Sequence, residues 1–249
     1  MRIRPQTRAT LTGLQVLFTC SSIGSCAGML LAYQAGNPEL ARALRIIACL
    51  SPVLLALVCG AHATWYGRWL FLGLLCCWLG DRLLGTYGFL PGLLAFLLGH
   101  MAFAIASLAR GISLKPFAVA SGVLTLAAGA VLLWLYERVP PERVAPVLAY
   151  LFVISLMAAF ASGASWRHRA PLLAIAASVF YVSDLFVARG MFVQYDYLNS
   201  VVGLPLYFGS LVLFALSIPG ATGKGSRGPL PRVVECCEEH DAIHEPEVP

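Results

Sequence analysis

The chain is poor in charge. Only 12% of its 249 residues are Asp, Glu, Lys or Arg, while 59% are hydrophobic. A soluble domain is nearer a quarter charged and half apolar, so the shortage excludes one large soluble core. The chain also lacks a phosphate-cradling P-loop, a G-x-S-x-G elbow, an H-E-x-x-H helix and a convincing internal repeat. Nucleotide hydrolysis, serine-nucleophile chemistry and zincin chemistry are therefore without their usual signatures. No basic stripe with interleaved aromatics runs along it, which sets nucleic acid aside as a partner. Eight cysteines are present, none in a C-x-x-C pair. Cys20, Cys26, Cys49, Cys59, Cys76 and Cys77 lie in or beside apolar runs, where they read as small apolar side chains rather than a disulfide or zinc framework.

What the chain has instead is long apolar runs. A helix of roughly 20 apolar residues spans a bilayer core, and such runs fall at about 11–34, 40–60, 68–86, 89–109, 115–136, 144–164, 170–188 and 197–218. Breaks such as "GNPELAR", "RGISLKP", "ERVPPER" and "RGMFVQYDY" separate them, and most contain Gly or Pro, as helix ends require. The expected fold is all-α: a polytopic transmembrane bundle of about eight spans over residues 11–218. A basic segment, residues 1–10, precedes it, and a polar tail, residues 219–249, follows it. The tail's Gly/Pro-rich and acidic composition predicts disorder. Its Cys236, Cys237, His240 and His244 fit a solvated acidic tail better than a metal site. "IGSC" at Ile23–Cys26 loosely resembles a lipobox, but its run exceeds a signal core in length and reads as the first span.

The net charge of +5 gathers at the ends of these runs. Arg2, Arg4, Arg8, Arg68, Arg110, Lys115, Arg167, Arg169 and the basic residues of the tail fall on one side. Arg42, Arg45, Arg138, Arg143 and Arg189 fall on the other. The positive-inside rule then puts both termini in the cytoplasm. The Ala, Gly, Leu and Arg content suggests a bacterial inner membrane, and a homodimer is compatible with the sequence.

A charge near the bilayer centre costs at least roughly 2.5–3.5 kcal/mol, so an ionisable residue within a span marks a protein interior or a wet cavity. The clear cases are Asp81, His100 and Asp184, with Arg82 beside Asp81. Asp81 and Asp184 come near the ends of the third and seventh spans, both running outward, each roughly 6–8 Å below the outer boundary at 1.5 Å per residue. A shared cavity opening toward the outer leaflet would explain both. His100 is expected about 9 Å deeper than Asp81, on the other arm of a hairpin turning at "TYG". Gly92, Phe96 and His100 recur every four residues and share a helix face. Arg82 points elsewhere than its neighbour, toward the outer surface by snorkelling or toward a substrate. Tyr150 and Tyr207 are amphipathic packing residues or cavity lining.

Five segments, in order, resemble the YhhN-like family, whose characterised members are lysoplasmalogenases. They are "LGDRLL", "PGLLAFLLGHMAFAIAS", "VAPVLAYLFVISLMAAFAS", "ASVFYVSDLFVA" and "LPLYFGSLVLFALS". The likeness runs from about Arg68 to Ser217. Three positions depart from the family pattern: Phe103 stands where a tyrosine is usual, Ser210 where a glutamine is usual, and Arg82 where a small or apolar residue is usual. The resemblance implies a membrane-embedded hydrolase that cleaves the vinyl ether of a lysoplasmalogen to a fatty aldehyde and a glycerophospho-alcohol. The partners it implies are a lysophospholipid or other membrane lipid and the bilayer.

Vinyl-ether hydrolysis needs a proton donor, a nearby negative charge and a positioned water, with neither cofactor nor metal. Asp81 and Asp184 are expected to share this acid/base work, one carboxyl protonated and the other ionised. His100 is expected to relay a proton or orient the phosphate. Ser183 and Tyr207 are candidates to hold water or the lipid's glycerol hydroxyl, and Tyr150 and Arg82 to bind substrate. Two other readings stay open: a zinc site built from Asp81, His100 and Asp184, and a proton-coupled transporter or non-catalytic lipid-binding protein using the same polar cavity.

Overall fold

The computed structural model describes residues 5–218, with side chains from residue 11 onward. The basic residues Arg2 and Arg4 and the tail from Pro219, with its expected disorder, lie outside the described residues. Eight helices form: α1 (Pro5–Gln34), α2 (Pro38–Val58), α3 (Trp65–Thr86), α4 (Phe89–Arg110), α5 (Leu114–Leu135), α6 (Pro141–His168), α7 (Leu172–Phe192) and α8 (Leu204–Leu216). A π-helical turn at Asn199–Gly203 leads into α8. Counting that turn with α8, all eight are long and apolar enough to cross a membrane. The expected all-α bundle of eight candidate spans is therefore present.

Local chemistry sets the helix ends. The Asn37 side chain accepts from the Leu40 N–H, and Pro38 occupies the first turn of α2, where its missing N–H costs nothing. Thr64 caps α3 by accepting from the Gly67 N–H. Gly88 and Gly111, at φ +94° and +83°, end the connections on either side of α4 in a conformation that side chains resist. One expected break moved. Arg189, read as a loop residue, remains inside α7. Its guanidinium reaches the Asp196 carboxylate at 2.7 and 2.8 Å and also bonds Asn199, which ties the loop back onto the helix. That contact holds the Asp196 carboxyl below the usual carboxylate range.

The helices pack as sequential hairpins, with α8 against α1, α2, α3 and α7. Half of the α8 span is buried, against 6% of α5, which packs on α6 at the periphery. Helices α3 and α4 approach closely. A Cβ on Gly92 would lie 2.9 Å from the Leu84 Cα, and one on Gly73 would strike the Phe103 ring, so glycine is what permits this spacing. At the end of the bundle carrying the first described residues and the end of α8, the Tyr66 and Ser217 hydroxyls are 2.7 Å apart and Arg110 lies over the Tyr66 ring.

The interior of α2 contains Pro52. A proline cannot donate to the carbonyl four residues earlier, which leaves the Ala48 carbonyl without its helical partner. Ser22 of α1 supplies the donor, Oγ to the Ala48 oxygen at 2.7 Å, with Ser22 fully buried. Ser51 adds a second link, 3.0 Å to Ser21. A hydroxyl from a neighbouring helix thus completes a backbone that the bilayer would leave unpaired. Replacing Ser22 with Ala is expected to destabilise the bundle by about 1 kcal/mol. The loss should shrink in a Pro52→Ala background, where residue 52 regains its N–H. SDS-titrated unfolding in mixed micelles, run as a double-mutant cycle, measures both.

Candidate functional site

One end of the bundle, opposite the described chain ends, holds a cavity of about 250 Å³. Its wall comes from the first turns of α2, α4, α6 and α8 and the last turns of α3, α5 and α7. Most of it is apolar, with Leu93, Phe96, Leu135, Val147, Leu151, Ile154, Leu185 and Leu204 among the lining residues. The exceptions are Arg45, Asp81, Tyr150, Tyr181, Asp184, Tyr195, Asn199 and Tyr207. The two aspartates picked out by sequence therefore line the same space. Their depths differ more than expected, because α7 continues four residues past Ala188. Asp81 lies about 7–8 Å from the end of α3, and Asp184 about 12 Å from the end of α7.

Each carboxyl has its own set of partners. Asp81, 9% exposed, takes Arg45 of α2 on one oxygen, with Nη2 at 2.6 Å and Nε at 3.2 Å. Its other oxygen accepts from the Tyr207 hydroxyl at 3.0 Å. The Cys49 sulfur lies 3.6 Å from the same hydroxyl. Asp81 is thus the anionic half of an ion pair with a phenol on its free side.

Asp184 has no guanidinium partner among the described residues. The Tyr150 hydroxyl donates to it at 2.7 Å, and His100 Nε2 lies 2.8 Å from the Tyr150 oxygen and 3.3 Å from the carboxylate. A phenol has one proton to give. With that proton directed at Asp184, the Tyr150 oxygen accepts from His100, which puts the hydrogen of the imidazole on Nε2. His100 is fully buried, edge-on to Phe180 at 4.7 Å between ring centroids, and its buried Nδ1 has no hydrogen-bond partner among the described residues. The histidine thus partners Asp184 rather than Asp81, across three helices.

The remaining expected site residues are distributed as follows. Tyr207 joins the Asp81 cluster, and Tyr150 the Asp184 cluster. Ser183 is fully buried, bonds the Phe180 carbonyl of its own helix at 2.9 Å and is not among the cavity-lining residues. Arg82 is exposed and lines a separate cleft between α1, α2 and α3. Phe103 stacks on Phe214 at 4.2 Å, behind His100. Ser210 bonds the Tyr207 carbonyl at 2.6 Å. Among the described residues, no three His, Cys, Asp or Glu side chains gather as metal ligands, so the zinc alternative lacks its ligand set.

Sequence reasoning assigned Arg45 to the loop charges. The available signal was its position within the predicted 40–60 span, five residues from its start, and its spacing of three from Arg42. Tyr181, whose buried hydroxyl has no partner among the described residues, carries no signal in the sequence beyond its place within the seventh-span motif.

The YhhN family model matches residues 43–218. No curated protein and no solved structure gives a significant match.

Because Arg45 neutralises Asp81, Arg45→Gln is expected to destabilise the protein. The cost should fall below the ~3–5 kcal/mol of a fully buried broken pair, since the arginine side chain is 31% exposed. Adding Asp81→Asn should recover much of that loss, measured by unfolding in the same micelles. Equal stability of Arg45→Gln and the unmodified protein would mean that the pair has no structural weight.

Proposed function

The chain belongs to the YhhN family, which includes lysoplasmalogenases, and from that premise we propose that it hydrolyses the vinyl ether of lysoplasmalogens. The observation that carries the proposal is the hydrogen-bonded chain Asp184–Tyr150–His100, opening on an apolar cavity that Asp81 also lines.

The reaction adds water to R–CH=CH–O–R′ and yields an aldehyde and an alcohol. In the first step a proton moves to the outer alkene carbon and leaves an oxocarbenium ion. Water attacks its carbon and loses a proton, and the hemiacetal collapses to the aldehyde and R′–OH. No covalent enzyme intermediate is required.

The surroundings of the two carboxyls divide the work. Asp184 gives the proton, because its partners are a phenol and an imidazole, groups that pass protons. As a carboxylate it then takes the proton released by the attacking water, so the cycle closes without a net change. Tyr150 and His100 keep Asp184 aimed and link it to a second proton carrier. Asp81 remains the anion of the Arg45 pair. It supplies standing negative charge at the cavity wall, a preorganised counterweight to the developing cation, and orients the Tyr207 hydroxyl. The apolar wall suits an alkenyl chain and limits bulk water near the cation. With both termini cytoplasmic, as the charge distribution favours, the cavity belongs to the outer half of the membrane.

Asp184→Asn is expected to lower kcat for aldehyde release from a lysoplasmalogen by about 10²-fold or more, with the protein still folded. Tyr150→Phe should cause a smaller loss, and Ser183→Ala little. The assay is aldehyde detection with purified protein in detergent or bilayer discs. Full activity in Asp184→Asn, or no aldehyde from the unmodified protein, rejects the proposal.

A further inference from the structure

A second cleft, about 560 Å³, adjoins the apolar cavity at the same end of the bundle. Its wall differs in kind. One face of α2 gives Arg42, Arg45, Ile46 and Cys49, at the three- and four-residue spacing of a helix stripe. The facing side of α3 gives Trp78, Asp81 and Arg82, and α1 gives Tyr33. Arg45 and Asp81 line both spaces, so the ion pair stands at the boundary between them.

The charges in this cleft do not balance. Arg42 pairs with Glu39 at 2.9 Å, and Arg45 with Asp81 at 2.6 Å. Arg82 forms no ion pair with any described residue. Three guanidinium groups against two carboxylates leave one positive charge over. The Trp78 Nε1, in the same wall, is buried without an acceptor among the described residues.

We infer that this cleft binds the phosphodiester of the lipid whose chain and vinyl ether occupy the apolar cavity. Arg82 and Arg42 are the main contacts, and Arg45 marks the join. The inference rests on the lysoplasmalogen reading and extends it, because it makes the phosphate a specificity determinant. Three features fit that ligand. A phosphodiester carries the single negative charge the cleft lacks. Guanidinium groups match phosphate oxygens in charge and in the geometry of their N–H forks. Only a glycerol unit separates the phosphate of such a lipid from its ether oxygen, so one molecule has to present its two ends to adjoining spaces. The cleft also lies near the start of α2 and the end of α3, and the ends of spanning helices are where lipid headgroups lie.

The test uses probes that the proposed reaction leaves intact. Binding of 1-O-alkyl-2-lyso-glycerophosphocholine, 1-O-alkylglycerol and inorganic phosphate to the purified full chain is measured by displacement of a labelled alkyl lysophospholipid. The unmodified protein is expected to bind the phospholipid at least about tenfold more tightly than the alkylglycerol. Arg82→Gln should remove most of that preference by weakening phospholipid binding far more than alkylglycerol binding, and Arg42→Gln should act in the same direction. Arg82 is exposed and outside any ion pair among the described residues, so its replacement should not disturb folding. Equal affinity for the two lipids, or a preference that survives both substitutions, overturns the inference. Displacement by millimolar inorganic phosphate alone also overturns it, by indicating a free-phosphate site.

Because these probes contain no vinyl ether, the result is independent of aldehyde release. A phosphate preference in a protein that releases no aldehyde keeps the binding site and removes the proposed activity. Aldehyde release without the preference does the reverse.

Discussion

A bilayer gives a buried carboxylate no water to fall back on, and in this bundle both buried carboxyls find their partners on other helices. That constraint shapes this bundle more than any apolar contact. Asp81 ties α3 to α2 through Arg45 and to α8 through Tyr207. Asp184 ties α7 to α6 through Tyr150 and to α4 through His100. The two carboxyls thereby connect six spans around one cavity, and the loosely packed α5 stays outside the network. The arrangement that satisfies these groups is also what gives each a distinct chemical character. One carboxyl is matched by a fixed cation, the other by groups that exchange protons.

Much of this was legible in the sequence because the membrane imposes simple rules. Eight apolar runs became eight helices, and Asp81, Asp184, Tyr150 and Tyr207 stood out as polar residues inside those runs and proved to share a cavity. Periodicity and depth do not say which helix packs against which, however. Depth counting set His100 well below Asp81 and left its partner open; helix adjacency gives it Asp184. Arg45 shows a second limit. Arginine near a span end is normally read as snorkelling outward, and only the position of α3 shows this one turned inward to a carboxylate. Ser183 is the opposite case. It was a candidate to hold water or the lipid's glycerol hydroxyl, but adjacent helix positions diverge by about 100°, and its hydroxyl is spent on the Phe180 carbonyl.

Of the three residues expected from the resemblance to depart from the family pattern, Phe103 and Ser210 lie on the structural side of the site. Phe103 fills the space that Gly73 leaves open and stacks on Phe214, so its ring completes the packing behind His100. Ser210 is satisfied by a carbonyl one turn back in α8. Neither interrupts the chain from His100 to Asp184. Arg82 is different, because it adds a charge to a neighbouring space and leaves the apolar cavity wall unchanged.

The proline in α2 has an effect beyond its own turn. The carbonyl it orphans belongs to Ala48, one turn from Arg45 on the same helix, and the Ser22 hydroxyl that bonds this carbonyl comes from α1. Apolar contacts fix a helix's rotation only through the fit of its packed side chains. A hydrogen bond aimed at one backbone oxygen adds a directional restraint to that fit. The azimuth of α2, and with it the direction in which the Arg45 side chain departs, is pinned by an N–H that residue 52 does not have.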